Sequence, residues 1–325
     1  MTQLRLPRRA LLGAALATPL VARAQSGEWP NRPVRVVVPF PPGGSNDVIA
    51  RPLAERLQAR LGQPFVVENR AGAGGLIGAG QVAQAPADGY TLMVTSSSFA
   101  TGAAIQRTSW DAEGSFDAVA LLARAPFFIM VRQDSPLRNL QDLIRYAKAN
   151  PGKLDYGTSG AGGINHFVTE YFSRQAGIQM TQVPYRGTAP AVTDLIAGHI
   201  QLMITTVASA NAAIREGRIR LLAATAPDGL LPEGVAPVPT AKEQGVDYEV
   251  TIWWRLLAPK GLPPALRSTI YGAVNAALAE PALARIYEGE GARPAQGGPD
   301  EFPRVLHADL ARWRDLARAA NIRAE

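Results

Sequence analysis

Val34-Arg35-Val36-Val37-Val38-Pro39-Phe40-Pro41-Pro42-Gly43-Gly44-Ser45-Asn46-Asp47 runs from a strand through a loop into a helix. The valine-rich start lacks polar alternation, as expected of a strand covered on both faces. Pro39 stops it because proline has no N–H to offer a neighbouring strand. A proline- and glycine-bearing loop, 40–46, follows. From Asp47 onward Val48, Ile49, Leu53, Leu57 and Leu61 recur at helical spacing until Gly62 and Pro64 end the helix, with Pro52 expected to kink or loosen it.

The same unit recurs along the chain. Strands are expected at 65–67, 91–94, 127–131, 154–156, 180–183, 201–204 and 221–224. Helices are expected at 76–85, 140–149, through His166, Val168 and Phe172, and at 189–197. Beyond Trp253 the chain reads as mostly helical, closing with an amphipathic stretch at 302–320. Such alternation predicts an α/β fold of parallel sheets covered on both faces. Sheets of this class bind ligands beyond the carboxyl ends of their strands, where loops 40–46, 95–98 and 158–163 fall.

Loop 40–46 suits an anion. Gly43 and Gly44 let main-chain N–H groups approach closely, and the following helix start presents unpaired donors and a positive dipole end. A glycine at 44 is expected because a Cβ would block the ligand or forbid a positive φ. The competing reading is a tight turn in which Ser45 or Asn46 caps the helix. Thr158-Ser159-Gly160-Ala161-Gly162 has the same position and, like Gly43 to Asn46, contains no Lys or Arg.

Other chemistries fit poorly. A dinucleotide fingerprint beginning at Gly72 fails because Ile77 stands at its third glycine. A nucleophile elbow fails at Ser45 and Ser159, where Asp47 and Ala161 replace the last glycine. Cysteine is absent, and His166, His199 and His307 lack ligand spacing, so no metal or cofactor is expected. His166 is a poor general base but follows a candidate ligand loop.

The N-terminus points to export. Arg5, Arg8 and Arg9 precede an apolar run from Ala10 to Leu20, and Ala22-Arg23-Ala24 follows as a cleavage site. Residues 1–24 therefore read as a signal peptide, by the general or the twin-arginine route. The whole chain carries +6, with 33 basic and 27 acidic residues, but the segment holds four arginines and no acid. The exported chain is thus near neutral, about +2. With no basic cluster interleaved with aromatics, nucleic acid is not an expected partner.

Taken in order, several segments resemble Bug-type periplasmic receptors, the binding components of tripartite tricarboxylate transporters. They are Val-Pro-Phe-Pro-Pro-Gly-Gly-Ser-Asn-Asp at 38–47, Gln-Pro-Phe-Val-Val-Glu-Asn-Arg at 63–70 and Ala-Gly-Ala-Gly-Gly from Ala71. Ala-Asp-Gly-Tyr-Thr-Leu from Ala87, Pro-Gly-Lys-Leu from Pro151, Val-Pro-Tyr-Arg-Gly-Thr-Ala-Pro-Ala from Val183 and Leu-Ala-Pro from Leu257 continue the match. The resemblance covers essentially the whole exported chain.

It implies a non-catalytic, two-domain Venus-flytrap fold with a ligand cleft between the domains. Domain 1 would comprise 26–127 and 252–300, and domain 2 would comprise 128–251 and 301–325. It implies a small organic carboxylate held by main-chain groups and ordered waters, for delivery to membrane transporter subunits or a sensor kinase. The chain is expected to act as a monomer. Ligand-binding candidates are Phe40, Gly43, Gly44, Ser45, Asn46, Ser96, Ser97, Thr158, Ser159, Gly160, Ala161, Gly162, His166, Thr205 and Arg255. An exported hydrolase acting on a carboxylate ester is the rival reading.

Two departures stand out. The family often has Asp-Asn where this chain has Thr205-Thr206, and glycine where it has Arg255. Losing an acid and gaining a base near a cleft favour a more anionic ligand. Alternatively, Arg255 points to solvent or pairs with a nearby acid.

Overall fold

The computed structural model describes residues 29–323, apart from 228, 229 and 232. The expected signal segment, 1–24, lies outside the described residues. The first half of the chain runs β1 (Val34–Val38), α1 (Ser45–Leu61), β2 (Phe65–Asn69), α2 (Leu76–Ala83), β3 (Thr91–Ser96), α3 (Ser98–Ile105) and β4 (Phe116–Pro126). Next come β5 (Phe128–Arg132), α4 (Leu140–Ala149), β6 (Asp155–Thr158), α5 (Ile164–Ala176), β7 (Thr181–Pro184), α6 (Thr188–Ala197), β8 (Leu202–Thr205), α7 (Asn211–Arg215) and β9 (Ile219–Ala224). The chain then returns through β10 (Thr251–Pro259), α8 (Pro264–Leu278), α9 (Pro281–Gly289), β11 (Arg293–Gly297) and α10 (Phe302–Ala319).

Two sheets form two domains. One has the order β11-β4-β10-β3-β1-β2 and the other β7-β6-β8-β5-β9. Both are mixed, which corrects the expectation of parallel sheets. Pairing is parallel for β1 with β2 and β3, and for β6 with β7 and β8. It is antiparallel wherever β10, β11 or β5 takes part. The cause is connectivity: only Phe127 separates β4 from β5, so the chain passes from sheet to sheet there and later returns as β10.

The C-terminal region is less helical than expected. β10 is a nine-residue strand in the middle of its sheet, and β4 and β11 were not anticipated. β4 is rich in alanine and leucine, which carry little intrinsic strand preference. Pairing with β10 on one side and β11 on the other makes it extended. The Ser-rich stretch after β3 turns directly into α3 rather than remaining a loop.

Around the first sheet α1 packs on α8 and α9, while α2 packs on α3 and α3 on α10. α10 also reaches α5 of the second domain, where Trp313 meets Phe167 edge-on with ring centroids 5.7 Å apart. The amphipathic pattern of 302–320 thus serves both domains, burying Phe302, Leu306, Leu310, Trp313 and Leu316.

Candidate ligand-binding site

Because β1 and β3 are parallel neighbours in register at Val37 and Met93, the loop after β1 and the turn into α3 lie side by side. β6 and β8 do the same for loop 158–163 and the segment following Thr205. The two domains approach where a Cβ at Gly162 would fall 2.3 Å from Ile105 Cδ1, at the C-terminal end of α3. Loops 40–46 and 158–163 lead into α1 and α5, and the turn after β3 leads into α3. No side chain caps α1, α3 or α5. At α1 and α5 the first N–H groups and positive dipole ends are available to an anion, whereas the Ser98 N–H that opens α3 faces Ser96 Oγ at 3.4 Å.

Loop 40–46 is shaped by Asp47. Its carboxylate accepts the Gly43 N–H at 3.0 Å, Arg51 Nε at 2.8 Å and Asn69 Nδ2 at 2.9 Å. Asn69 Nδ2 also donates to the Phe40 carbonyl at 3.1 Å, and Arg51 Nη2 donates to Asn69 Oδ1 at 2.8 Å. Burial by itself would raise the Asp47 carboxyl, but hydrogen bonds from Arg51, Gly43 and Asn69 hold it below the ordinary carboxylate value. Sequence reading used Asp47 only as a helix start and missed Arg51 and Asn69. The i, i+4 spacing of Asp47 and Arg51 was the available signal.

The positive φ that is one of two reasons to expect glycine at 44 belongs instead to its neighbour. Gly43, with φ +76°, holds the left-handed conformation, whereas Gly44 is extended at φ −77° and forms the N-cap. The expected capping by Ser45 or Asn46 does not occur, because the helix already begins at Ser45. Asn46 is 4% exposed, and its Oδ1 has no partner. Phe40 packs its ring against Gly75 at the entrance to α2.

Several predicted hydroxyls are already engaged. Ser97 Oγ accepts the Trp253 N–H at 3.1 Å, tying α3 to β10, and Ser96 Oγ faces the Ser98 N–H at 3.4 Å. Thr158 Oγ1 takes Gln182 Nε2 at 2.8 Å. Ser159 Oγ donates to Asn165 Oδ1 at 3.0 Å, while Asn165 Nδ2 donates to the Ile204 carbonyl at 2.8 Å, joining loop 158–163 to β8. Gly160 and Gly162 both have positive φ, and Ala161 lies between them. Thr205 is buried at the end of β8, opposite Phe128.

His166 is buried, and its Nδ1 accepts the Gly162 N–H at 3.2 Å, which leaves the other ring nitrogen protonated. Burial lowers its pKa to about 4, so it is neutral at pH 7. Neither Ser45 nor Ser159 bonds a histidine among the described residues, and the pairing a serine nucleophile needs is not formed.

Arg255 is not at the cleft surface in this conformation. It is 0% exposed on β10, opposite Thr95, with Nε, Nη1 and Nη2 all without hydrogen-bond partners. Its guanidinium carbon lies 4.9 Å from the Phe302 ring centroid. The solvent-facing alternative is overturned, and no ion pair forms within 4.0 Å among the described residues.

Two cavities lie outside the helix N-termini, the second of them lined by Ile105, which Gly162 approaches. One of about 620 Å³ borders β9 and α7 and includes Arg138, Arg215 and Arg220. Another of about 730 Å³ lies between α3 and the end of α10. Neither includes the α1, α3 or α5 N-terminus, so the loops, not cavity size, define the candidate site.

The family described as Tripartite tricarboxylate transporter family receptor matches residues 49–322. Protein BugT of Bordetella pertussis is 34% identical over 314 residues, covering 95% of this chain and 96% of that protein. Among solved structures, R. palustris Rpa4515 with adipate superposes with a TM-score of 0.82 at 36% identity, covering 91% of this chain and 99% of that one. MatC from Rhodopseudomonas palustris with bound malate gives 0.78 at 31% identity, covering 88% and 99%.

Proposed function

Since this chain belongs to the tripartite tricarboxylate transporter receptors, and is therefore a non-catalytic periplasmic solute-binding protein, we propose that its solute is a small organic carboxylate held between the two domains. The observation that carries this reading is that loops 40–46 and 158–163, one in each domain, each lead from a parallel strand into a helix whose N-cap is a glycine without a side-chain cap. Oriented N–H groups at such ends stabilise negative charge without a metal or an arginine clamp. The adipate and malate bound by two relatives agree with it.

In this reading the ligand meets the main chain of Gly43 to Asn46 on one side and of Thr158 to Gly162 on the other. Phe40 supplies an apolar wall. The unclaimed Oδ1 of Asn46 suits a bridging water, which needs such polar partners. The His166 ring, neutral at pH 7, would add a donor. Ser96, Ser97 and Thr205 shape the floor more than they bond the ligand, because two of the three hydroxyls already face main-chain donors and Thr205 is buried in its strand.

Closure would bring 26–127 and 252–300 towards 128–251 and the C-terminal segment, hinging where β4 meets β5 and where the chain enters β10. The closed monomer would then be read by the membrane subunits of the transporter.

A thermal-shift panel of mono-, di-, tri- and aromatic carboxylates on chain 25–325 tests the ligand class. At about a hundred times its dissociation constant a cognate carboxylate adds about 2.7 kcal/mol of stability. Stabilisation by a neutral solute, with no response to any carboxylate, would overturn the proposal.

A further inference from the structure

Arg255 occupies an expensive position. A guanidinium with no exposure and no hydrogen-bond partner carries a desolvation penalty that a nearby ring only partly offsets. The acids around it do not neutralise it locally. Asp309 on α10 accepts Trp253 Nε1 at 2.9 Å, and Glu301 is exposed at the start of that helix. Both act on Arg255 only through space, and Arg124 on the neighbouring β4 adds a like charge.

The location is as informative as the burial. Thr95 is directly opposite Arg255 on β3, three residues before the start of α3, and its hydroxyl is also buried without a partner. β1 is the next strand over, in register at Val37 with Met93, so Pro39 is level with Thr95 where loop 40–46 begins. The charge therefore lies inside the domain at the strand edge that carries the candidate ligand loops.

We infer that Arg255 is a specificity-determining residue that favours doubly charged over singly charged ligands without touching them. The inference rests on the carboxylate reading above and adds the charge class of the ligand. Strands lie about 4.8 Å apart, so the β10 backbone is roughly 10 Å across the sheet from the β1 loop, and the side chain keeps its charge at a separation of that order. A charge in a water-poor interior acting over that distance amounts to on the order of tenfold in affinity for each added negative charge. Burial lowers the guanidinium only to about 10, so the charge persists at pH 7.

The test compares adipate with hexanoate, and succinate with butyrate, by calorimetry on wild type, Arg255→Met, Arg255→Gln and Arg255→Lys. Both uncharged variants should lose about tenfold in the dianion-to-monoanion preference, with Arg255→Lys retaining most of it. The preference should persist from 0.05 to 0.5 M salt, because a buried charge is weakly screened. Independently of any ligand, Arg255→Met should melt a few degrees higher than wild type, since an unpaired buried charge has been removed. An unchanged preference in both uncharged variants overturns the inference and leaves the carboxylate reading standing. So does a wild type that binds hexanoate as tightly as adipate, or neither pair while another carboxylate of the panel binds. Failure of every carboxylate overturns both.

Discussion

Replacing Asp47 with asparagine should cost about 2–4 kcal/mol of folding stability and most of the ligand affinity. The carboxylate side chain is 6% exposed and accepts donors from Gly43, Arg51 and Asn69. The Arg51 side chain is 48% exposed, so that ion pair is discounted to below about 1 kcal/mol. The other two bonds, to a buried anion, supply about 1.5–3 kcal/mol between them once desolvation is set against them. Asparagine keeps the shape but turns one acceptor into a donor, which then faces an N–H. The pH dependence has a definite sign: hydrogen bonding depresses the folded pKa, so the contribution is present above the unfolded value near 3.8 and is lost as pH falls through the folded one. Urea denaturation of chain 25–325, wild type and variant, reads the midpoint at constant slope. An unchanged midpoint would refute the reasoning that Asp47 holds the loop.

Gly43→Val should destabilise by about 1–2 kcal/mol because a β-branched residue is strained at φ +76°. Gly44→Val should fold almost normally, since a Cβ there meets only the Pro41 carbonyl oxygen at 3.5 Å, yet lose carboxylate binding, as parallel melts and calorimetry will show. Normal binding by Gly44→Val would remove the ligand from that main chain. His166 should make the fold acid-sensitive: its folded pKa of about 4 lies below the unfolded 6.5, so stability falls as pH drops between them, by up to about 3 kcal/mol. His166→Gln should flatten that slope in denaturation series at pH 7 and pH 4.5. The exported protein should begin close to Gln25 by mass spectrometry, and a full-length mass including Met1 would contradict the signal reading.

What was legible in the sequence was local. The valine run of β1, the helical spacing through Leu61 and the helix at 140–149 are properties of neighbouring residues, and each element formed close to where the spacing predicted it. Loops 40–46 and 158–163 could be marked for an anion because glycine after a strand and before a helix has a local physical meaning. The ordered motifs then identified the family and its two-domain fold, whereas periodicity alone predicted parallel sheets and missed the antiparallel pairing of β5, β10 and β11.

What tertiary structure decided depends on partners distant in sequence. β4 is a strand because β10 and β11 flank it, not because Ala and Leu prefer one. Asp47 became the organiser of its loop only when β2 brought Asn69 beside it, and the left-handed glycine proved to be Gly43 rather than Gly44 because that N–H turns back to Asp47. The environment of Arg255 was the least legible feature. Between Trp254 and Leu256 its charge argues for a surface, yet β10 lies between β3 and β4, and α10, nearly fifty residues later, sets Phe302 against the guanidinium. Burial is a property of the assembled layers, and no local spacing encodes which layer arrives last.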